Sequence, residues 1–402
     1  MTNYEPEFYS AALRSRPPLY LNRNLQIIFA ITLMGVMGVV SITPAFPLII
    51  SHFHIDQRQV GLLITAFTLP GIFLTPILGV LADLLGRKTV LVPSLFLFAI
   101  AGFMCSQADT FGELVFLRFI QGIGGASLGS LNATLIGDIF SGSERTTAIG
   151  YNASILSIGT AAYPLIGGSL GMIGWNFPFY FPLMAIPLGL TVTFFLKNPL
   201  VKAEDTLLAH LRGTLFSMSN KRVLGLFLLN VLTFMILYGS YLTYFPIKLE
   251  ESFGSKSFFI GLVLSSSSVT TAITAAQLGK ITRRWDHEKL LVFTFSMYAV
   301  SLILIPLMPH ALLMFIPAML FGFAQGINIP NIQTMLINLA PIQHRGAFMS
   351  INGMVLRIGQ TLGPMFAGLF YIIGGIKFAF FGGALLSVMM ILVVVFTLSE
   401  EK

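Results

Sequence analysis

Two arginines interrupt long apolar stretches of the sequence, where a charged side chain needs a specific partner. Arg118 follows the residues LVFL, and Arg357 lies roughly 15 Å of helix into a stretch that begins near residue 347. An arginine in hydrocarbon costs at least about 2.5–3.5 kcal/mol on insertion scales, so each should face a polar cavity or a partner. A guanidinium presents its N–H donors in a planar fork that matches a carboxylate or a phosphate. Arg357 in particular therefore indicates a site for an anionic group.

Each arginine also has a structural explanation, and the sequence leaves both explanations open. Arg118 lies roughly 9 Å from the start of its stretch, so its side chain can snorkel to the outer surface. Arg357 can bond to helix carbonyls without any ligand. No acidic residue lies in the body of a second-half stretch, and the first half offers only Asp83 and Asp138 near the inner surface. Amide side chains complete the polar surroundings and favour an anionic or neutral ligand: Gln121, Asn328, Asn352 and Gln360.

The composition indicates that these residues lie in lipid. Of 402 residues, 55% are hydrophobic and only 10% are charged, whereas soluble proteins average about a quarter charged residues. The net charge of +7 comes from bases in short breaks between apolar runs, so we expect no nucleic-acid partner. The single cysteine, Cys105, excludes a disulfide framework and a multi-cysteine metal site. No P-loop or H-E-x-x-H motif is present, so we expect neither an enzyme nor a cofactor.

Apolar stretches long enough to span a membrane fill most of the sequence. A helix needs about 20 mainly apolar residues to cross about 30 Å of hydrocarbon. The first stretch exceeds the roughly 7–15 apolar residues of a signal peptide, so we expect it to be retained. The sequence thus predicts an all-α membrane protein with twelve transmembrane helices, the last two separated only by a turn at 374–377. The predicted spans are 26–50, 59–82, 89–107, 112–136, 147–172, 177–196, 222–246, 257–280, 289–308, 310–337, 347–372 and 376–397.

The basic residues orient these helices. With both termini cytoplasmic, most bases lie on the inner side, as the positive-inside rule requires. The bases that then fall in outer loops are Arg58, Lys248, Lys256 and Lys377. The polar stretch 197–221 predicts a cytoplasmic linker between an N-terminal six-helix bundle, 1–196, and a C-terminal six-helix bundle, 222–402. We expect a multi-pass protein of the bacterial inner membrane.

The two predicted bundles share an internal repeat. Residues of the same type recur at one constant offset: Gly79 with Gly279, Arg145 with Arg345, Asn152 with Asn352, Gly159 with Gly359, Pro164 with Pro364, and Phe181 with Phe381. Parallel six-helix repeats are typical of transporters that rock two halves around a site at mid-membrane.

The segment GVLADLLGRKT, residues 79–89, resembles the cytoplasmic loop motif of the major facilitator superfamily, G-x-L-a-D-r-x-G-R-r/k, with Leu84 where an arginine is common. The resemblance covers nearly the whole chain. It implies a conformational latch in which Asp83 faces the N-terminus of the eleventh helix and Arg87 pairs with Asp138. A solvated turn is the alternative. The implied latch residues are Gly79, Asp83, Gly86, Arg87, Lys88 and Asp138.

Two further motifs extend the resemblance to the drug:proton antiporters of the superfamily. In LVFLRFIQGIGGA, residues 114–126, the resemblance ties proton coupling to Arg118, Gln121 and Gly122. The fifth span fits the antiporter pattern G-x8-G-x3-G-P-x2-G-G except that Tyr163 replaces a glycine, and close helix packing alone would also explain it. The residues of this pattern are Gly150, Gly159, Tyr163, Pro164, Gly167 and Gly168.

Polar and aromatic residues in the helices that line the family's cavity suit a large organic molecule. The predicted cavity residues are Asn132, Asn230, Tyr238, Tyr241, Gln325, Asn328, Asn331, Arg357 and Gln360. Many multidrug antiporters of the family carry a membrane carboxylate, and its absence from this sequence weakens a cationic-drug interpretation.

The resemblance implies a monomeric secondary transporter that expels amphipathic organic compounds or drugs in exchange for protons by alternating access. One alternative is a carrier for a specific organic anion, lipid or metabolite that uses Arg357 as an anchor. The other is a membrane sensor or scaffold that transports nothing. The expected partners are the small amphipathic substrate, protons and the lipid bilayer.

Overall fold

The computed structural model describes residues 18–197, 220–340 and 345–398, and these residues form helices joined by short loops. The predicted linker at 197–221 falls almost entirely outside the described residues. Ten long apolar helices precede the last one: α1 Arg23–Phe53, α2 Gln59–Leu85, α3 Arg87–Cys105, α4 Phe111–Ile139, α5 Gly142–Gly171, α6 Phe177–Phe195, α7 Lys221–Phe253, α8 Ser257–Ala275, α9 His287–Leu307 and α10 Ala311–Leu339.

The last helical stretch, Arg345–Thr397, contains 53 residues and is broken at Gly374 and Gly375. At about 1.5 Å per residue it would be roughly 80 Å long if straight, more than twice the thickness of a bilayer core. Gly375 has φ 69° and ψ −161°, a conformation that favours glycine. The break divides the stretch into α11, residues 345–373, and α12, residues 376–397. The predicted turn between the last two spans is therefore confirmed, and the described helices provide twelve membrane crossings.

The middle of α7 is a π-helix over Ile236–Tyr244. Pro246 has no backbone N–H, so the carbonyl of Leu242 has no helical donor four residues later. The Thr243 hydroxyl also donates to the Tyr238 carbonyl, five residues earlier, at 2.7 Å. Gly239 allows the widened turn to pack directly on the backbone of Gly363 in α11. The wide turn thus lies where two helices approach closely.

Helices 1–6 and helices 7–12 pack as two halves that meet along α5 with α8 and α2 with α11. We call the end of the bundle at the α2–α3 loop inner and the opposite end outer. At the outer ends, a Cβ on Gly168 or Gly171 would touch Ser257 of α8, and a Cβ on Gly61 would touch Pro364 of α11. Toward the inner ends, a Cβ built on the described glycines of α2, α5 and α11 meets nothing within 4 Å: Gly79, Gly150 and Gly353. The glycine contacts recorded between the halves therefore lie at their outer ends.

Candidate functional site

Arg87 forms the centre of an ion-pair network at the inner end of the first half. It begins α3, it is only 4% exposed, and its Nε donates to Asp138 Oδ2 of α4 at 2.9 Å. Its guanidinium also pairs with Asp83 of α2. Gly86, at φ 94°, makes the turn between the two helices, and Lys88 donates to the Thr193 carbonyl at 3.1 Å. The structure therefore brings together the residues of the predicted loop motif.

Asp83 lies at the inner end of α2. Its carboxylate is 47% exposed, and Arg87 is its ion-pair partner among the described residues. Residues 341–344, just before the eleventh helix, lie outside the described part of the chain, so the contact between Asp83 and the N-terminus of that helix stays a prediction.

Arg118 lies fully inside the first half and joins three helices. Its Nη2 donates to the Gly38 carbonyl of α1 at 2.7 Å, and its Nε donates to the Leu63 carbonyl of α2 at 3.2 Å. Its Nη1 donates to Gln121 Oε1 at 2.6 Å, and the guanidinium lies 4.4 Å from the ring centroid of Phe67. The side chain is 1% exposed, so it does not snorkel to the surface.

Gly122 explains how α2 comes so close to Arg118. A Cβ on Gly122 would lie 2.8 Å from the Phe67 carbonyl carbon, closer than real Cβ atoms approach a backbone. Only glycine permits this contact. Three nearby residues of α4 thus hold it against α2. The Arg118 guanidinium bonds to the α2 backbone, Gln121 bonds to the guanidinium, and Gly122 lets the two helices touch.

The glycines of the α5 pattern pack this helix against neighbours in both halves. Gly159 faces Leu33 of α1, and Gly167 packs on the backbone of Ser41, also in α1. Gly168 and the Pro164 carbonyl face Ser257 and Gly261 of α8, and Tyr163 packs edge to face on Phe181 at 5.5 Å. Gly150 at the inner end meets nothing within 4 Å. The pattern therefore builds the close α5–α8 contact at the outer end.

Arg357 lies between the two halves at mid-depth. It is half-buried in α11, and its Nη1 donates to Gln360 Oε1 at 3.1 Å. A Cβ on Gly71 of α2 would lie 3.1 Å from Arg357 Nε, and one on Gly129 of α4 would lie 3.9 Å from Nη2. The guanidinium therefore lies against the first half, with no carboxylate beside it among the described residues.

Five of the predicted cavity residues are buried in this conformation and contact neighbouring helices: Asn132, Asn230, Tyr241, Asn328 and Asn331. Asn132 donates to Thr32 of α1, and Asn230 donates to Asn352 at 2.7 Å. Asn328 donates to Thr233 at 2.9 Å, and Asn331 donates to the His287 carbonyl at 2.9 Å. Tyr241 stacks on Phe321 with ring centroids 4.2 Å apart. Burying a polar group in apolar surroundings costs free energy unless it forms a hydrogen bond, and a neighbouring helix supplies the partner.

The other four predicted cavity residues are Arg357 and Gln360, which share a hydrogen bond, and the half-buried Tyr238 and Gln325. Tyr238 stacks on Phe234 at 6.0 Å. This set has one positive charge, two amides and aromatic surface. It can hold an anionic or hydrogen-bonding head group and pack an apolar body.

The sequence interpretation missed the hydrogen bonds that join the halves at the outer end. Thr65 Oγ1 donates to the Thr361 carbonyl at 3.1 Å, and the hydroxyls of Thr68 and Thr361 lie 2.8 Å apart. Nearer the surface, Tyr371 donates to Gln57 Oε1 at 3.0 Å. The sequence feature that could have predicted these bonds is the spacing of Thr65 and Thr68, which lie on one face of an apolar helix. Positions that face lipid rarely need hydroxyl groups.

An exposed ion pair lies beside this closure, in the loop before α2. Arg58 Nε donates to Asp56 Oδ1 at 2.7 Å, and this hydrogen bond lowers the pKa of the Asp56 carboxyl below its usual value. The pair is therefore kept as the pH falls through the ordinary range of an aspartate and is lost only below the lowered pKa. Both side chains are exposed, so the pair adds little stability.

A helical membrane bundle whose halves meet around a half-buried arginine belongs to the class of membrane transporters that move solutes between two halves. The sequence model of the Major Facilitator Superfamily matches residues 28–254 and 226–402, and the chain belongs to this superfamily. It is a multi-pass membrane transporter and not an enzyme, which confirms the predicted family, fold and class of function.

Relatives and solved structures are similar over nearly the full length. Multidrug resistance protein 1 of Bacillus subtilis (strain 168) is 25% identical over 361 residues, which cover 87% of this chain and 90% of that protein. Tetracycline resistance protein, class B, of Escherichia coli is 23% identical over 362 residues, covering 87% and 89%. The crystal structure of the nucleoside transporter NupG has a TM-score of 0.78 at 14% identity, covering 95% of this chain and 100% of that chain.

Proposed function

We propose that this transporter expels amphipathic organic compounds from the bacterial cell in exchange for protons. The observation that carries the proposal is the position of Arg357 where the two halves meet, with the recorded hydrogen bonds between the halves lying on its outer side. A compound entering from the inner side would meet Arg357 and Gln360 before the outer contacts open. Similarity to proteins named for multidrug and tetracycline resistance supports drugs as cargo.

The remaining motifs have separate roles in this proposal. Arg118, Gln121 and Gly122 couple proton movement to the packing of α1, α2 and α4. The glycines of α5 form the outer closure with α8. The Arg87 network latches the inner ends when they close. The protein works as a monomer in the inner membrane, with both termini cytoplasmic.

A second candidate is a carrier for a specific organic anion. The observation that favours it is Arg357, whose guanidinium lies where the halves meet and has no carboxylate beside it among the described residues. In this case the substrate would carry the negative charge that pairs with Arg357.

An experiment with Arg357→Gln separates the two candidates. Purified transporter in liposomes with a pH gradient would be given cationic, neutral and anionic amphiphiles, and proton release and uptake of each would be recorded. Losing a charge-assisted hydrogen bond of about 1.5–3 kcal/mol predicts a loss of about 10- to 100-fold for compounds held by Arg357.

Arg283→Gln, an exposed arginine of the inner α8–α9 loop, is the matched control and should transport normally. Coupled transport of anions alone, lost in Arg357→Gln, would favour the anion carrier. Proton release driven by cationic drugs and unchanged in Arg357→Gln would remove Arg357 from the substrate site. No flux with any compound would contradict both candidates.

Asp83→Asn tests the inner latch. A charge at a helix N-terminus contributes about 0.3–1 kcal/mol, so we expect transport to slow about two- to fivefold. Because Asp83 is half exposed, the unfolding temperature in detergent should change little, whereas Asp138→Asn should lower it by leaving buried Arg87 with fewer partners. An Asp83→Asn variant that transports at the normal rate would refute the latch.

A further inference from the structure

We infer that Thr361 is a positioning residue that connects the site around Arg357 to the closure at the outer end. Its hydroxyl belongs to both regions. It lies 2.8 Å from the Arg357 carbonyl on its own helix and 2.8 Å from the Thr68 hydroxyl on α2. The inference deepens the proposed function, because it takes Arg357 as the place where cargo binds.

The geometry makes the two contacts of Thr361 dependent on each other. Each hydroxyl has one hydrogen and an acceptor on its own helix, the Arg357 carbonyl for Thr361 and the Ile64 carbonyl, at 3.0 Å, for Thr68. The two hydroxyls therefore bond to each other only when one of them turns its hydrogen away from its own helix. The Thr361 carbonyl accepts from the Thr65 hydroxyl at 3.1 Å, which adds a second bond from α2. Thr68 and Thr361 are 0% and 3% exposed, so water cannot replace a lost partner while the outer end is closed.

The same segment of α11 also contains a weakened helical turn. Pro364 has no N–H, so the Gln360 carbonyl lacks its usual donor from within the helix. A threonine hydroxyl bonded to the carbonyl four residues earlier tends to bend a helix. The stretch from Arg357 to Pro364 therefore contains the substrate arginine, a weakened helical turn and the bonds to α2.

These contacts predict how cargo would act on the outer closure. A group bound by the Arg357 guanidinium pulls on the turn whose carbonyl accepts from Thr361. Any rotation of that turn lengthens the bonds from Thr361 to Thr65 and Thr68, which are two of the three recorded hydrogen bonds between the halves in the described residues. Occupancy of the site and opening of the outer end are thereby linked through one side chain.

The test measures the outer separation directly. Spin labels at Ser51→Cys in α1 and Ser252→Cys in α7, both exposed at the outer end, report the distance in lipid nanodiscs on a Cys105→Ala background. One interhelical hydrogen bond in a membrane is worth about a threefold change in equilibrium. We expect Thr361→Val and Thr68→Val each to raise the ratio of open to closed molecules about threefold, and Thr361→Ser to restore it.

Thr294→Val is the matched control, because Thr294 is equally buried but bonds only to Leu291 within its own helix. Should Thr361→Val fail to fold, Thr68→Val removes the same bond from the other side. No shift in either variant would overturn the proposed closure.

A double-mutant cycle with Arg357→Gln tests the connection itself. The connection is supported if the double variant changes the ratio of open to closed molecules by a factor that differs at least twofold from the product of the two single-variant factors. It is overturned if the double-variant factor equals that product. The distances need no transport, so failure of the proposed export would leave this result standing, and failure here would leave export untouched.

Discussion

Replacing Arg118 with glutamine is expected to lower transport at least about 100-fold, because the variant loses two or more hydrogen bonds from a charged donor, each worth about 1.5–3 kcal/mol. In the native protein this one guanidinium joins the Gly38 and Leu63 carbonyls and the Gln121 side chain. Glutamine is too short to reach both carbonyls. The measurement is uptake of the best-transported compound into liposomes, with the amount of folded protein checked by gel filtration.

Arg118→Lys provides the comparison that separates charge from geometry. Lysine keeps the positive charge but lacks the planar fork that spans three acceptors. We expect it to transport only slightly better than Arg118→Gln if geometry dominates. Native rates in Arg118→Gln would show that the junction of α1, α2 and α4 plays no part in the transport cycle.

Gly168→Val is expected to reduce transport at least about tenfold by forcing the outer ends apart. A Cβ at this position would lie 3.1 Å from the Ser257 carbonyl carbon and 3.2 Å from the Phe258 Cα of α8. Overpacking of this kind costs about 1–3 kcal/mol. The clash exists only when α5 and α8 are in contact, so it destabilises the conformation in which the outer end is closed. The distance between the labels at Ser51 and Ser252 should therefore increase.

Gly150→Val is the control on the same helix. Its Cβ meets nothing within 4 Å in this conformation, so the outer distance should stay native. If Gly168→Val leaves the distance unchanged and transport intact, the glycine pattern of α5 has no role in closing the outer end.

The sequence predicted the structure correctly at positions where the chemistry of the residues allows few possible arrangements. Twelve apolar stretches could be predicted from length and hydropathy, and the pairing of Arg87 with Asp138 followed from the resemblance to the family motif. The break at Gly374 and Gly375 could be predicted because so few residues separate two full membrane crossings. In each of these cases one physical requirement determines the local structure, either the length of a membrane crossing or the need of a buried charge for a partner.

The orientation of polar side chains around each helix was not predictable. A membrane helix is apolar on every side, so periodicity does not reveal which face is buried. The sequence therefore could not show that Asn331 and Tyr241, two predicted cavity residues, are buried inside the second half in this conformation. Thr361 was overlooked for the same reason, since its partners on α2 are far away in sequence. The backbone acceptors of Arg118 could be identified only once the helices were assembled.

The π-helix in α7 also affects how this span should be aligned with its relatives. A π-helix holds more residues per turn than an α-helix, which corresponds to one additional residue in the segment. Deleting one residue from Ile236–Tyr244 would return the segment to α-helical spacing and leave the outer part of the span, Phe245–Phe253, on its present face. Side chains buried there, such as Phe245 and Leu249, would stay buried. A relative with a regular α-helix here should therefore align with a one-residue gap, and an ungapped alignment would pair residues that lie about 100° apart around the helix.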